Sequence, residues 1–162
     1  MTHEEPVENN DIKDQYLKSL RMIERLHRLL LDVIKDEFER LGHSEVNSVQ
    51  ALLLFNIGDA ELTAGELRSR GYYLGSNVSY NLKKLVEAGY IHHQRSTNDR
   101  RSVRVSLTDK GKEICQVIND LYDRQMKSLE KVGGVNDADL DAMNDSLFRL
   151  ERFWGDQIRY RL

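Results

Sequence analysis

The hydrophobic period of this chain changes twice, and that constrains its fold more than any other feature. From Asp11 to Leu41 the apolar residues Tyr16, Leu20, Ile23, Leu26, Leu30, Val33, Ile34, Phe38 and Leu41 recur at steps of three and four. This spacing predicts one helix of about 30 residues with a single apolar stripe, stopped at Gly42. Ser48 to Phe55 (SVQALLLF) predicts a short helix buried on most sides. Thr63 and Glu66 stand at capping-box spacing and open another short helix that ends near Gly71. Residues 75–88 predict a further helix, with Val78, Leu82 and Leu85 facing inward and Gly89 as its stop. Over Tyr90–Arg95 and Val103–Leu107 the period drops to two, so both segments read as strands, joined by the polar turn Ser96–Arg101. The helical period then returns. Thr108-Asp109-Lys110-Gly111 caps a long helix with Ile114, Ile118, Leu121, Tyr122, Met126 and Leu129 on one side, and Gly133-Gly134 breaks it. Asn136 to about Tyr160 predicts the last helix, with Leu140, Met143, Leu147, Leu150, Trp154 and Ile158 at nearly heptad spacing.

A two-stranded hairpin is marginal alone and must lean on the helices before it. The two short helices around Gly71-Tyr72-Tyr73, followed by the hairpin, predict a mainly α fold with a small β-hairpin (α+β): a winged helix-turn-helix flanked by long terminal helices. The expected divisions are a disordered tail over 1–11, an N-terminal dimerisation helix over 12–45, a winged lobe over 46–110 and C-terminal dimerisation helices over 111–162. The terminal helices carry more apolar surface than one small winged lobe covers, so a homodimer is expected, with Tyr16, Leu20, Leu147, Leu150, Trp154 and Ile158 in its interface.

Charge supports a polyanionic partner. The net charge of −3 is an average: residues 61–112 carry 10 basic against 5 acidic side chains, while 1–60 carry 7 against 12 and 113–162 carry 7 against 10. A helix fits the DNA major groove, and a hairpin tip can place an arginine in the minor groove. No apolar run approaches a membrane span, the acidic N-terminus lacks a signal-peptide core, and the lone cysteine excludes a disulfide framework. A cytoplasmic location follows as the expectation.

Residues Leu62 to Lys112 carry a more specific pattern. Asn98-Asp99-Arg100-Arg101, followed by Val105-Ser106-Leu107-Thr108-Asp109-Lys110-Gly111, strongly resembles the wing and next-helix entry of the MarR family of bacterial transcription regulators. The resemblance implies a recognition helix that turns Ser76, Asn77, Ser79, Tyr80 and Lys83 towards DNA. It also implies a wing in which Asp99 orients Arg101 into the minor groove, with Arg100 on a neighbouring phosphate. It further implies a dimer on a pseudo-palindromic operator, acting as a repressor whose DNA affinity falls when a small, possibly aromatic ligand binds. An architectural or constitutive DNA-binding protein with no effector is the alternative.

No enzymatic constellation appears. His92 and His93 are adjacent on a strand and point to opposite faces, so they cannot share a metal. His27 and His43 have no partner at ligand spacing, and no phosphate loop, HExxH or nucleophile elbow is present. No cofactor, metal or catalytic residue is expected. Arg21, Arg25 and His43 read as solvated charges rather than an anion site, and Cys115, at helical spacing from Ile118, reads as an inert thiol.

Overall fold

The computed structural model describes residues 8–69, 75–95 and 103–161. In chain order the elements are α1 (Glu8–Arg40), α2 (Ser48–Ile57), β1 (Leu62–Thr63), α3 (Ala64–Ser69), α4 (Gly75–Glu87), β2 (Ile91–Arg95), β3 (Val103–Leu107), α5 (Asp109–Leu129) and α6 (Asp137–Tyr160). Two compact units divide the chain, Met1–Ile118 and Asn119–Leu162.

The first unit holds the core. Among the described residues every buried apolar side chain except Leu121 belongs to it, including Ile34, Leu53, Leu54, Leu67, Val78, Leu85, Tyr90, Val105 and Ile118. The C-terminal part of α1 packs on α2 through its inward face, where Ile34 and Phe38 are buried. A full capping box starts α2: Gln50 N donates to Asn47 Oδ1 at 2.8 Å and Asn47 N donates to Gln50 Oε1 at 3.2 Å. This short helix buries Ala51, Leu53, Leu54 and Ile57, as its nearly all-apolar sequence requires. Thr63 Oγ1 accepts from Glu66 N at 3.0 Å and so begins α3.

The hairpin registers Ile91 with Leu107, His93 with Val105 and Arg95 with Val103. Two features differ from the sequence expectation. The sheet has three antiparallel strands in the order β1-β3-β2, because Leu62 and Thr63 pair with Val105 and Arg104. This added strand covers the free edge of β3, which a bare hairpin would leave to solvent. Second, α1 opens at Glu8, inside the stretch 1–11 expected as a tail. Asp11 places negative charge near the positive end of the helix dipole, where it favours helix.

In the second unit Asn136 caps α6, accepting from Asp139 N at 2.9 Å while Asn136 N donates to Asp139 Oδ2 at 3.1 Å. No side chain of α6 is buried.

Candidate nucleic-acid interface

Helix α4 is amphipathic in the sense the sequence predicts. Val78, Leu82 and Leu85 are 1%, 8% and 2% exposed and hold the helix on the core, joined by the buried Asn81. The opposite face carries Ser79, Tyr80, Lys83 and Lys84, all exposed. Tyr80 is 62% exposed, a large value for an aromatic ring, and Lys84 Nζ lies 5.7 Å from its ring centroid. That contact is a cation–π pair, which presents a flat ring and a positive charge together on one surface. Ser76 and Asn77 fall in the first turn of α4; their side chains lie outside the described residues, as do Asp99, Arg100 and Arg101 and the Gly71-Tyr72-Tyr73 connection.

The sheet adds cations that the sequence reading did not single out. Arg95 and Arg104 are both exposed, at the wing ends of β2 and β3. For Arg104 the signal was the two-residue alternation, which sets it between the inward-facing Val103 and Val105; Arg95, in register with Val103, has no such signal. The same alternation separates the two histidines. His93, opposite Val105, borders a cleft of about 440 Å³ floored by Leu82, Val86, Val103 and Val105 and also bordered by Lys83. His92, opposite Ser106, takes the other face.

A second cleft, of about 610 Å³, lies where α1 ends and α2 begins, with Lys35, Phe38, His43 and Asn47 in its wall. The His43 ring meets Phe38 edge-on at 5.9 Å, and its Nδ1 is 3.6 Å from Glu45 Oε2. Arg21 and Arg25 do not line this cleft; both are exposed on α1, and Arg25 Nη2 donates to Met22 Sδ at 3.1 Å. Cys115 is half-buried in α5; burial, with a smaller contribution from the negative charge of Asp59, pushes its thiol above the ordinary value. Among the described residues no group of three or more His, Cys, Asp or Glu could hold a metal ion, and no helix is long and apolar enough to cross a membrane.

Comparison with known proteins agrees with this geometry. A winged helix DNA-binding domain family matches residues 46–111. The exopolysaccharide II synthesis transcriptional activator ExpG of Rhizobium meliloti (strain 1021) is 35% identical over 158 residues, covering 96% of this chain and 81% of that protein. The fold is that of FabT from Streptococcus pneumoniae, solved in complex with DNA, with a TM-score of 0.67 at 20% identity over 87% of this chain and 98% of that one. It is equally that of a mutant MarR from E. coli, solved with operator DNA, with a TM-score of 0.66 at 19% identity over 85% and 96% of the two chains. These relatives are transcription regulators, not enzymes, and the chain shares their DNA-binding winged helix. It belongs to the MarR family of winged helix-turn-helix transcription regulators.

Proposed function

We propose that the chain acts as a cytoplasmic homodimer on a pseudo-palindromic DNA operator, with α4 of each subunit in the major groove. The observation that carries this reading is the exposed face of α4, where Ser79, Tyr80, Lys83 and Lys84 project opposite a fully seated apolar face. Ser76 and Asn77 at the head of the same helix complete the base-reading set, and Asp99, Arg100 and Arg101 form the minor-groove wing. Two symmetric recognition helices fit half-sites about one helical turn apart.

The dimer reading is supported by apolar surface that one chain leaves open. On α6, Leu147 is 39% and Ile158 82% exposed, while Leu150 and Trp154 are only half-buried. On α1, Tyr16 is 37% exposed and Leu20 half-buried. Fully burying a leucine-sized side chain contributes about 1.5–3 kcal/mol, so covering this set in a partner subunit would stabilise a dimer strongly.

For regulation, the sequence expectation is repression relieved by a small, possibly aromatic ligand, and the cleft beside Phe38 and His43 is the space that supports a ligand. A second reading of the sign is favoured by the Rhizobium relative, which is named an activator. Selecting duplexes from a random library with the full chain, and then placing the selected site upstream and downstream of a reporter promoter, tests both. A palindromic consensus supports the operator reading, and its absence overturns it. Raised or lowered reporter output decides the sign. A thermal-shift screen over aromatic acids separates a ligand-responsive regulator from a constitutive DNA-binding protein, because an effector raises the melting temperature by mass action.

A further inference from the structure

The C-terminal end of α4 is held by a set of bonds that its own helix does not supply. After Glu87 the chain turns through Gly89 at φ 84°, a left-handed value that suits glycine. Gly89 N then donates to Val86 O at 3.1 Å and Tyr90 N to Leu85 O at 2.9 Å, which closes the helix. Three successive carbonyls, those of Ala88, Gly89 and Tyr90, remain pointing away. Each is taken by a donor from the entry to α5. Lys110 Nζ donates to Ala88 O at 3.0 Å, Thr108 Oγ1 donates to Gly89 O at 2.7 Å, and Thr108 N donates to Tyr90 O at 3.1 Å.

The rest of the junction tightens this set. Thr108 Oγ1 also accepts from Gly111 N at 3.1 Å, so one hydroxyl ties the turn after α4 to the first turn of α5. Gly111 packs against the Tyr90 carbonyl so closely that a Cβ there would overlap the oxygen. The Lys110 ammonium stands 4.3 Å from the centroid of the Tyr90 ring, and Tyr90 is 1% exposed. A cation here also suits the negative end of the α4 dipole. Lys110 is exposed, yet its ammonium is directed onto the Ala88 carbonyl and the Tyr90 ring, although it sits in the most basic segment of the chain.

We propose that Thr108, Lys110 and Gly111 form a clasp that sets the angle of α4, and that Lys110 is a positioning residue for DNA recognition rather than a phosphate contact. The proposal rests on α4 being the recognition helix. A lever fixed at its C-terminal end carries Tyr80, Lys83 and Lys84 on its exposed face, and a small rotation at the clasp displaces all three. Base contacts depend steeply on such geometry, whereas phosphate contacts adjust with flexible lysine stems.

The test uses the full chain and fluorescence anisotropy on a selected operator and a scrambled duplex at three salt concentrations. Melting curves show that each variant is folded at the assay temperature. Lys110→Met and Thr108→Val should each weaken operator binding by about three- to tenfold, scrambled-duplex binding should barely change, and the log–log salt slope should stay constant. Thr108→Ser, which keeps the hydroxyl, should restore operator affinity. A slope reduced by about one per subunit in Lys110→Met would make Lys110 a phosphate ligand and overturn the proposal. Unchanged operator affinity with only a lower melting temperature would overturn it as well, because the clasp would then be structural alone. Lys83→Met is the parallel control. If it leaves DNA binding unchanged, the assignment of α4 fails and takes the clasp with it; if it weakens binding while Lys110→Met does not, only the clasp fails. Gly111→Ala wedges the same junction open; should it fail to fold, the exposed Lys110 still carries the test.

Discussion

The carboxylate of Glu37 lies beneath the guanidinium of Arg40 and takes two hydrogen bonds from it, 2.7 Å from Nη2 and 3.2 Å from Nε. Glu37 is 6% exposed and sits between the core residues Ile34 and Phe38, while most of Arg40 faces solvent. The fork geometry matches the two carboxylate oxygens, an arrangement that lysine cannot copy. Arg40→Met should therefore strand a buried carboxylate and lower the melting temperature by about 2–6 °C, with Arg40→Lys recovering only part. The hydrogen bonds that Arg40 donates to Glu37, and then the Glu37 charge, hold the guanidinium pKa above its ordinary value. Stabilisation from a raised cationic group is complete below its unfolded pKa and lost only above it, so on the Arg40 side the pair should persist across pH 6–10. An unchanged melting curve for Arg40→Met would show that the pair is replaced by water.

Electrostatics should dominate affinity for any duplex. The chain brings a segment with 10 basic and 5 acidic side chains, and Lys83, Lys84, Arg95 and Arg104 of that segment are exposed on α4 and the sheet. Raising salt from about 50 to 200 mM should weaken binding by about a thousandfold, with a steep negative log–log slope, as neutralised phosphates reclaim their counterions. A slope near zero would remove this surface from the DNA contact.

Much of the fold was legible because each element carries its own period. The spacing of Val78, Leu82 and Leu85 named the inward face of α4, and those three side chains are buried. Asn136 before the last heptad-like run marked the start of α6, and its capping box is present. The third strand was not legible, since Leu62 and Thr63 are too few to show any alternation and pair with residues more than 40 positions away. Lys110 was visible only as part of a helix cap. Its bond to Ala88 joins positions 22 apart, and no local pattern encodes such a contact. The helical period gave only the buried face of α4; Ser79, Tyr80 and Lys83 were named through the family resemblance, and all three are exposed. Arg95 needed the strand register, which pairs it with Val103 and which the sequence does not state.

Cys115 offers a check on the interior of the first unit. Burial, with a smaller contribution from Asp59, raises its thiol pKa, so the folded protein retains the thiol proton where an unfolded chain begins to lose it. Iodoacetamide at pH 8 should modify Cys115 roughly fivefold or more slowly than the same residue in denaturant. The linkage sign is also fixed. An acid with a raised folded pKa contributes stability at low pH, and that contribution declines as pH rises past the ordinary thiol value of about 8.5. Equal alkylation rates in the folded and unfolded protein would contradict this environment.

The terminal helices carry the assembly prediction. In the single chain Leu147 is 39% exposed and Leu150 half-buried on the apolar side of α6. Leu147→Asp combined with Leu150→Asp should convert the proposed dimer to monomer or unfolded chain, because each unpaired carboxylate buried in an interface costs several kcal/mol, roughly 3 or more. Sedimentation showing an intact, folded dimer would place the interface elsewhere.

Reading bases and gripping the backbone should separate by mutation. Asn77 begins the proposed recognition helix, so Asn77→Ala should remove base contacts worth about 1–3 kcal/mol per bidentate pair. The gap between operator and scrambled DNA should shrink while the salt slope stays nearly constant. Arg101→Ala should act differently, because a wing arginine meets every duplex alike. Binding to both DNAs should weaken, and the slope should fall by about one unit per subunit. Where the minor groove under the wing is narrow, preference for A·T-rich flanks should fade as well. Asp99→Ala decides whether the acidic residue orients that arginine. Charge arithmetic alone predicts tighter binding when a carboxylate is removed from a DNA surface. An orienting role predicts the reverse, a partial copy of Arg101→Ala, because the freed guanidinium must pay conformational entropy to find its groove. Titrating the three variants on one operator and one scrambled duplex at three salt concentrations distinguishes these outcomes. Tighter binding by Asp99→Ala would remove its orienting role, and an unchanged slope for Arg101→Ala would take the wing out of the interface.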